Sequence, residues 1–270
     1  MAICECKSQI EHIRANALLY EVTMRQLLED GAKAMGISLS QRQLDQFEAY
    51  HRLLVEWNEK MNLTAITEAR EVATKHFLDS IAGGPEILKA AGAAENDGAK
   101  APITLIDVGT GAGFPGLPLK IAFPEIKLTL LDSLQKRVNF LQEVVDQLGL
   151  EDVQCLHGRA EDAAHEEGLR EQFDVAVARA VAPMYVLMEY CGGYVKKGGQ
   201  FVAYKGPNLE EELAEAGKAM KVMQLRHKKT MRADLPEGEF DHLMAFFEKT
   251  GNLSLKYPRK QAKIKKEKLA

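Results

Sequence analysis

The apolar positions change rhythm once along the chain. Up to about residue 89 they recur every three or four residues, the spacing that gathers side chains on one face of a helix. Leu27, Leu28, Ala32 and Met35 make a short stripe that begins at Met24 and stops at Gly36. Leu44, Phe47, His51, Leu54, Trp57 and Met61 make a longer stripe, which reads as core packing. It starts behind Ser40 and Gln43, a pair with the spacing of a capping box. A further helix is expected over 68–81, carrying Lys75, His76 and Asp79, and Gly83-Gly84-Pro85 breaks it. The pattern assigns no role to His76 or Asp79. Residues 90–102, rich in Ala, Gly, Asn and Asp, read as a surface linker.

Beyond Pro102 short apolar runs replace the helical stripes. Strands are expected at 103–108, 127–131, 153–156, 173–178, 199–204, 225–230 and 242–248. Helices are expected at 116–123, 135–148, 183–194 and 209–223. Strands alternating with helices imply an α/β fold, a mostly parallel sheet with helices on both faces. The last two strands have no helix between them, only a connection with Pro236 and Gly238, so the last strand is expected to be antiparallel. The organisation is therefore read as an extension over 1–23, an N-terminal helical subdomain over 24–89, the linker over 90–102, an α/β domain over 103–250 and a tail over 251–270.

The candidate chemistry starts where the first strand ends. Asp107, Gly109, Gly111 and Gly113 alternate with single residues, and a helix follows at Gly116. Glycines permit positive φ and close approach of a ligand to the backbone, and a helix start favours an anionic group. A dinucleotide fingerprint needs glycine at the sixth position from Gly109, where Phe114 stands, and a phosphate-loop lysine is missing too. An acid two residues before the first glycine resembles the first motif of Rossmann-like class I methyltransferases, whose cofactor, S-adenosylmethionine, carries an ammonium. A mostly parallel sheet with an antiparallel last strand is also theirs. Ligands of such sheets bind beyond the carboxyl ends of the strands. Asp132 stands there after the second strand, placed for ribose hydroxyls. Gly158-Arg159-Ala160-Glu161-Asp162 follows the third, a polar corner suited to an adenine edge, and Arg179 follows the fourth. The structural alternatives are that Asp132 caps the helix at Leu134, that Glu161 is a surface acid and that Arg179 pairs with Glu189.

Methyl transfer from a sulfonium asks mainly for positioning. The Asn/Asp-Pro-Pro-aromatic segment of exocyclic-amine methylation is absent after the fourth strand, and no cysteine is placed for attack on a pyrimidine carbon. A ring nitrogen or a hydroxyl is favoured as acceptor, without a proton-accepting catalytic residue and with Arg179 as a positioner. Cys191 reads as a packing residue, and Cys4 and Cys6 read as reduced thiols rather than half of a metal site.

Charge adds a partner. Net charge is −4, yet the last twenty residues hold seven lysines and arginines against one acid, Glu267. Such an end suits a polyanion, with Lys256, Arg259, Lys260 and Lys263 as RNA contacts, unless it is only a solvated terminus. Its removal is expected to spare cofactor binding. No apolar run reaches membrane-spanning length and no secretory signal is evident, so a cytoplasmic protein is expected.

Finer motifs carry a family resemblance. V-G-T-G-A-G-F-P-G-L-P-L, L-L-D-S-L-Q-K-R-V-N-F-L, G-R-A-E-D, V-A-R-A-V-A, W-N-E-K-M-N-L-T-A-I-T, K-H-F-L-D-S-I, Y-K-G and Y-P-R-K resemble the bacterial small-subunit rRNA methyltransferase G family, also called glucose-inhibited division protein B. The likeness covers roughly residues 27–260. It implies methylation of a guanine N7, at guanine 527 in the decoding-region loop of 16S rRNA, from S-adenosylmethionine, by a monomer acting on 16S rRNA or the small ribosomal subunit. The family's cofactor contacts fall on Gly109, Phe114, Ala160, Glu161 and Arg179. The chain departs from the family at its end, where Gln261-Ala262-Lys263-Ile264-Lys265 replaces a Gly-Thr-Pro segment, and residues 1–23 have no counterpart. The competing readings are a methyltransferase for another RNA or a small molecule, and an inactive ribosome-associated RNA-binding protein.

Overall fold

Alternation of side chains along the strands decides the architecture. Leu105 of β1 (Thr104–Val108) points into one apolar cluster, and Ile106 and Val108 point into another. Val175 and Val177 of β4 (Phe173–Arg179) join the first, Ala176 and Ala178 the second. Val202 and Phe201 of β5 (Val195–Lys205), and Phe246 and Phe247 of β7 (Leu243–Lys249), split in the same way. A strand buried on both faces needs a helical layer on each. The computed structural model describes residues 24–90, 92, 102–179, 182–233, 235 and 242–269. It shows a seven-stranded sheet in the order β3-β2-β1-β4-β5-β7-β6, where β2 is Lys127–Asp132, β3 Val153–His157 and β6 Leu225–Arg232.

Strands β1 to β5 are parallel, and β7 runs antiparallel to both β5 and β6. This is the Rossmann-like class I methyltransferase sheet. The last strand is antiparallel, as expected, and it inserts between β5 and β6.

Residues 24–34 are helical. The Gln41–Asn58 helix carries the capping box expected at Ser40 and Gln43. Its buried face is Leu44, Phe47, Tyr50 and Leu54, so Tyr50 takes the place expected for His51, which is half-buried. The next helix runs through Ala69–Val72, a π-helical Ala73–Leu78 and Asp79–Ile81, and a short helix, Gly84–Ala90, follows. The buried residues of these segments share one cluster with Leu105, Leu130, Val177 and Phe246 of the sheet. They are the layer over one face, together with the Gly116–Ala122 and Gln135–Leu148 helices. The other face is covered by Met184–Gly192 and by Leu209–Glu215 and Gly217–Val222, a single expected helix broken at Ala216.

The tail also belongs to that second layer. Leu253, Ile264 and Leu269 are buried, and Gln261–Lys266 is a helix. The Arg170 guanidinium donates to the carbonyls of Leu253, Ser254 and Tyr257. Arg259, expected to face RNA, is itself buried and donates to both carboxylate oxygens of the fully buried Glu189. Desolvating that carboxylate requires such a partner. Lys260 pairs with Asp162, while Lys256 and Lys263 are exposed. The extension over 1–23, Cys4 and Cys6 and most of the 90–102 linker lie outside the described residues. No described helix is long and apolar enough to cross a membrane, and no described cluster of side chains has the makings of a metal site.

Candidate functional site

The turn after β1 is held from three sides. Gly109 and Thr110 donate backbone N–H groups to the Leu131 carbonyl at the end of β2. Gly111 donates to Oδ2 of Asp132 at 3.0 Å. Gly109, Gly111 and Gly113 adopt φ of +71°, +61° and +95°, a region that excludes most side chains. A Cβ on Gly113 would stand 2.5 Å from the Tyr50 hydroxyl, so the turn also abuts the N-terminal helices. Tyr50 is fully buried and donates to the Ala112 carbonyl. Nothing in the local sequence pattern marks this residue. Tyr50→Phe should cost roughly 1–3 kcal/mol by leaving that carbonyl unpaired, read as a lower denaturation midpoint with an unchanged slope. An unshifted midpoint would show that the bond contributes nothing.

Asp107 lies beneath the turn. Its Oδ2 accepts from the Thr110 hydroxyl at 2.7 Å and from Gly116 N–H, where the next helix starts, at 2.8 Å. Its Oδ1 has no partner. Burial pushes this carboxyl up to about 6, against the two hydrogen bonds that favour the anion. An orphaned buried acceptor next to a glycine turn fits a cofactor that carries an ammonium group.

A cavity of about 470 Å³ opens beside the turn. Gly109, Asp132, Ala160 and Glu161, four of the residues expected at a cofactor, all line it. Asp132 is 2% exposed and acts in two ways at once. Its Oδ1 accepts from Leu134 N–H at 2.9 Å, the capping alternative, while Oδ2 ties the glycine turn. The carboxylate retains acceptor capacity toward the cavity. Glu161 is buried in the wall, with the Arg159 guanidinium 3.7 Å away. An acid with spare acceptor capacity beside a polar corner suits an adenosine group.

Gly111, Phe114 and Arg179 do not line that cavity. Gly111 acts through its N–H on Asp132. Phe114 is 6% exposed and stacks on His76 at 4.6 Å between ring centroids, with the Arg179 guanidinium 4.8 Å from its own. Arg179 lines a second cavity of about 450 Å³, with His76, Asp79, Tyr204, Lys205 and His242 among its walls. β4 lies between β1, which leads to the first cavity, and β5, which leads to the second. Arg179 at its tip therefore stands between the two.

Arg179 pairs with Asp79 at 2.9 Å, not with Glu189. Asp79 Oδ1 also meets His242 Nδ1 at 2.8 Å, and Asp79 is 1% exposed. That carboxylate raises the His242 imidazole above its ordinary value. Burial, aided by the Arg179 charge, lowers His76 to about 4, so its ring is neutral near pH 7. The π-helical turn shifts the face of the helix on which these residues fall. Such insertions occur often at functional sites, and a regular 3.6-residue pattern does not reveal them. Cys191 is fully buried and its thiol is pushed far above the usual range, consistent with packing alone.

Comparison with known proteins agrees with this geometry. The model of the family described as rRNA small subunit methyltransferase G matches residues 43–239. The ribosomal RNA small subunit methyltransferase G of Alkaliphilus metalliredigens is 49% identical over 237 residues, covering 87% of this chain and 95% of its own. That of Clostridium botulinum (strain Loch Maree / Type A3) is 46% identical over 243 residues, covering 90% and 98%. Among solved structures, a SAM-dependent methyltransferase from Aquifex aeolicus is similar with a TM-score of 0.44 and 21% identity, over 61% of this chain and 88% of that one. With the sheet order and the glycine turn bounded by Asp132 and Glu161, the family model and the two curated relatives establish that the chain belongs to the rRNA small subunit methyltransferase G family.

Proposed function

We propose that the chain methylates a guanine N7 of 16S rRNA, the family position being guanine 527, with S-adenosylmethionine held in the cavity between the glycine turn, Asp132 and Glu161. Methylation of rRNA follows from the family; the acceptor atom is inferred. When bound, S-adenosylmethionine supplies a methyl group on a sulfonium that is already activated for in-line displacement. The chain's own task is to hold the acceptor in line and to exclude water.

The observation that carries the N7 reading is the pairing of each described acid and histidine that lines the Arg179 cavity. Asp79 is held by Arg179 and His242, and Glu212 by Lys205 and the Met184 N–H. Nε2 of His76 meets the Thr64 hydroxyl at 2.9 Å. None of these groups stands ready to take a proton. Guanine N7 has an in-plane lone pair and needs no base, whereas an exocyclic amine or a hydroxyl must lose a proton. In this reading Arg179 orients the acceptor and, being permanently protonated, does not accept a proton. The exposed lysines of the tail, Lys256 and Lys263, supply attraction for the phosphate backbone.

Labelled methyl transfer tests this reading. Unmodified 16S rRNA and unmodified small subunits should each be offered with the cofactor, and the product cleaved chemically at N7-methylguanine. Label that maps to a single guanine in the decoding-region loop is expected. Label on a base that resists this cleavage would overturn the N7 reading.

A further inference from the structure

The basic tail was expected to serve RNA alone, but its helix stands in the wall of the cofactor cavity. Gln261 and Lys265 line that cavity together with Asp132, Glu161 and Tyr190. Oε1 of Gln261 accepts from the Arg159 guanidinium at 3.0 Å. Tyr190 of the Met184–Gly192 helix stands in the same wall. One tail residue thus holds the corner after β3 beside that helix, across the adenosine end of the cavity.

The tail is anchored on both sides of Gln261. Upstream, Arg259 meets Glu189, both of them buried, and Nε2 or its proton on His165 meets the Pro258 carbonyl at 2.8 Å. Downstream, Ile264 is 1% exposed, and the Leu269 carbonyl accepts from Ala219 N–H at 3.1 Å. These contacts fix the backbone on either side, so Gln261 is presented to the cavity by a built wall and not by a loose end.

We propose that the C-terminal segment is a functional wall of the cofactor site, with Gln261 as a positioning residue that holds Arg159 beside Tyr190, against the adenosine half of S-adenosylmethionine. This rests on that cavity being the cofactor site. Two consequences follow. Loss of Gln261 weakens binding of the adenosine half and leaves the methionine half untouched. Occupancy of the cavity in turn holds the tail down, because a ligand that binds the docked form stabilises docking by the same free energy.

The test uses the full chain with S-adenosylhomocysteine and adenosine as probes, by calorimetric titration and competition. Gln261→Ala should raise Kd about tenfold, the scale of one lost hydrogen-bonding partner, and by the same factor for both probes. Gln261→Glu, which keeps an acceptor for Arg159, should recover most of the affinity. Thermal unfolding of the variants checks that they fold. On the unaltered chain, trypsin cleavage at Lys263 should slow when S-adenosylhomocysteine is added, a readout that requires no variant. If the unaltered chain binds neither probe, the cofactor assignment itself fails. If it binds S-adenosylhomocysteine but Gln261→Ala leaves both affinities unchanged, or the ligand does not slow cleavage, the wall proposal fails and the cofactor assignment stands.

Discussion

Asp79→Ala should lower the stability of the folded chain by roughly 3 kcal/mol, the low end of the range for removing one partner of a buried ion pair. The low end applies because the Arg179 side chain retains 13% exposure where it meets the cavity. Asp79 is the point at which the N-terminal layer is joined electrostatically to the tip of β4, through Arg179, and to His242, just before β7. Its loss removes the carboxylate that both Arg179 and His242 meet. The pH dependence separates this account from simple loss of packing. In the folded chain the Asp79 carboxylate raises His242 above 6.5. Its contribution is therefore fully present below about pH 6.5 and is lost as pH rises through the higher folded value. The Asp79→Ala loss should be larger at pH 6 than at pH 8, as measured by denaturant unfolding. An equal loss at both values would refute the coupling to His242.

Asp132→Ala should weaken S-adenosylmethionine binding by roughly 1–3 kcal/mol, or about tenfold to a hundredfold. Two causes add. The proposed acceptor for the ribose is removed, and the Gly111 N–H that Oδ2 holds is released, which loosens the turn itself. Asp132→Asn distinguishes them, since an amide retains one acceptor oxygen for either the turn or the sugar but not the full capacity of a carboxylate. Its affinity should fall between those of the alanine variant and the unaltered chain. Calorimetric titration with S-adenosylhomocysteine measures both. Affinity within twofold of the unaltered chain, in an alanine variant that unfolds cooperatively, would refute the ribose role.

Much of the site was legible because its signals are local. The glycine turn is written in consecutive residues, since positive φ is a property of single positions. Asp132 and Glu161 could be placed because residues after parallel strands meet at one edge of the sheet whatever the details of packing. The Gln135–Leu148 helix has the bounds expected of it, with amphipathic spacing and Gly149 in the left-handed region as its stop.

Other parts could not be read from spacing. Tyr50 and His51 are adjacent, and a helical stripe passes near both. Only contact with the glycine turn selects Tyr50. Arg179 and Asp79 are 100 positions apart, and His242 and Asp79 are 163 apart. No local pattern encodes such pairings. The alternative partner for Arg179, Glu189, was wrong because the tail supplies Arg259 to that buried acid.

The tail shows the division most clearly. Charge dominates its composition, and Leu253, Pro258, Ile264 and Leu269 are too sparse to form a stripe, although all four are buried. By itself the sequence determined the order of strands and helices, the antiparallel last strand and the glycine turn with its two acids, because these follow from local conformation and from the short, right-handed connections that parallel sheets require. Only the tertiary structure decided that the N-terminal helices are a layer of the sheet, that Asp79 joins Arg179 to His242, and that a basic tail closes one side of the cavity beside the glycine turn. Burial and ion pairing depend on which surfaces meet, and that is settled by the packing of the whole chain.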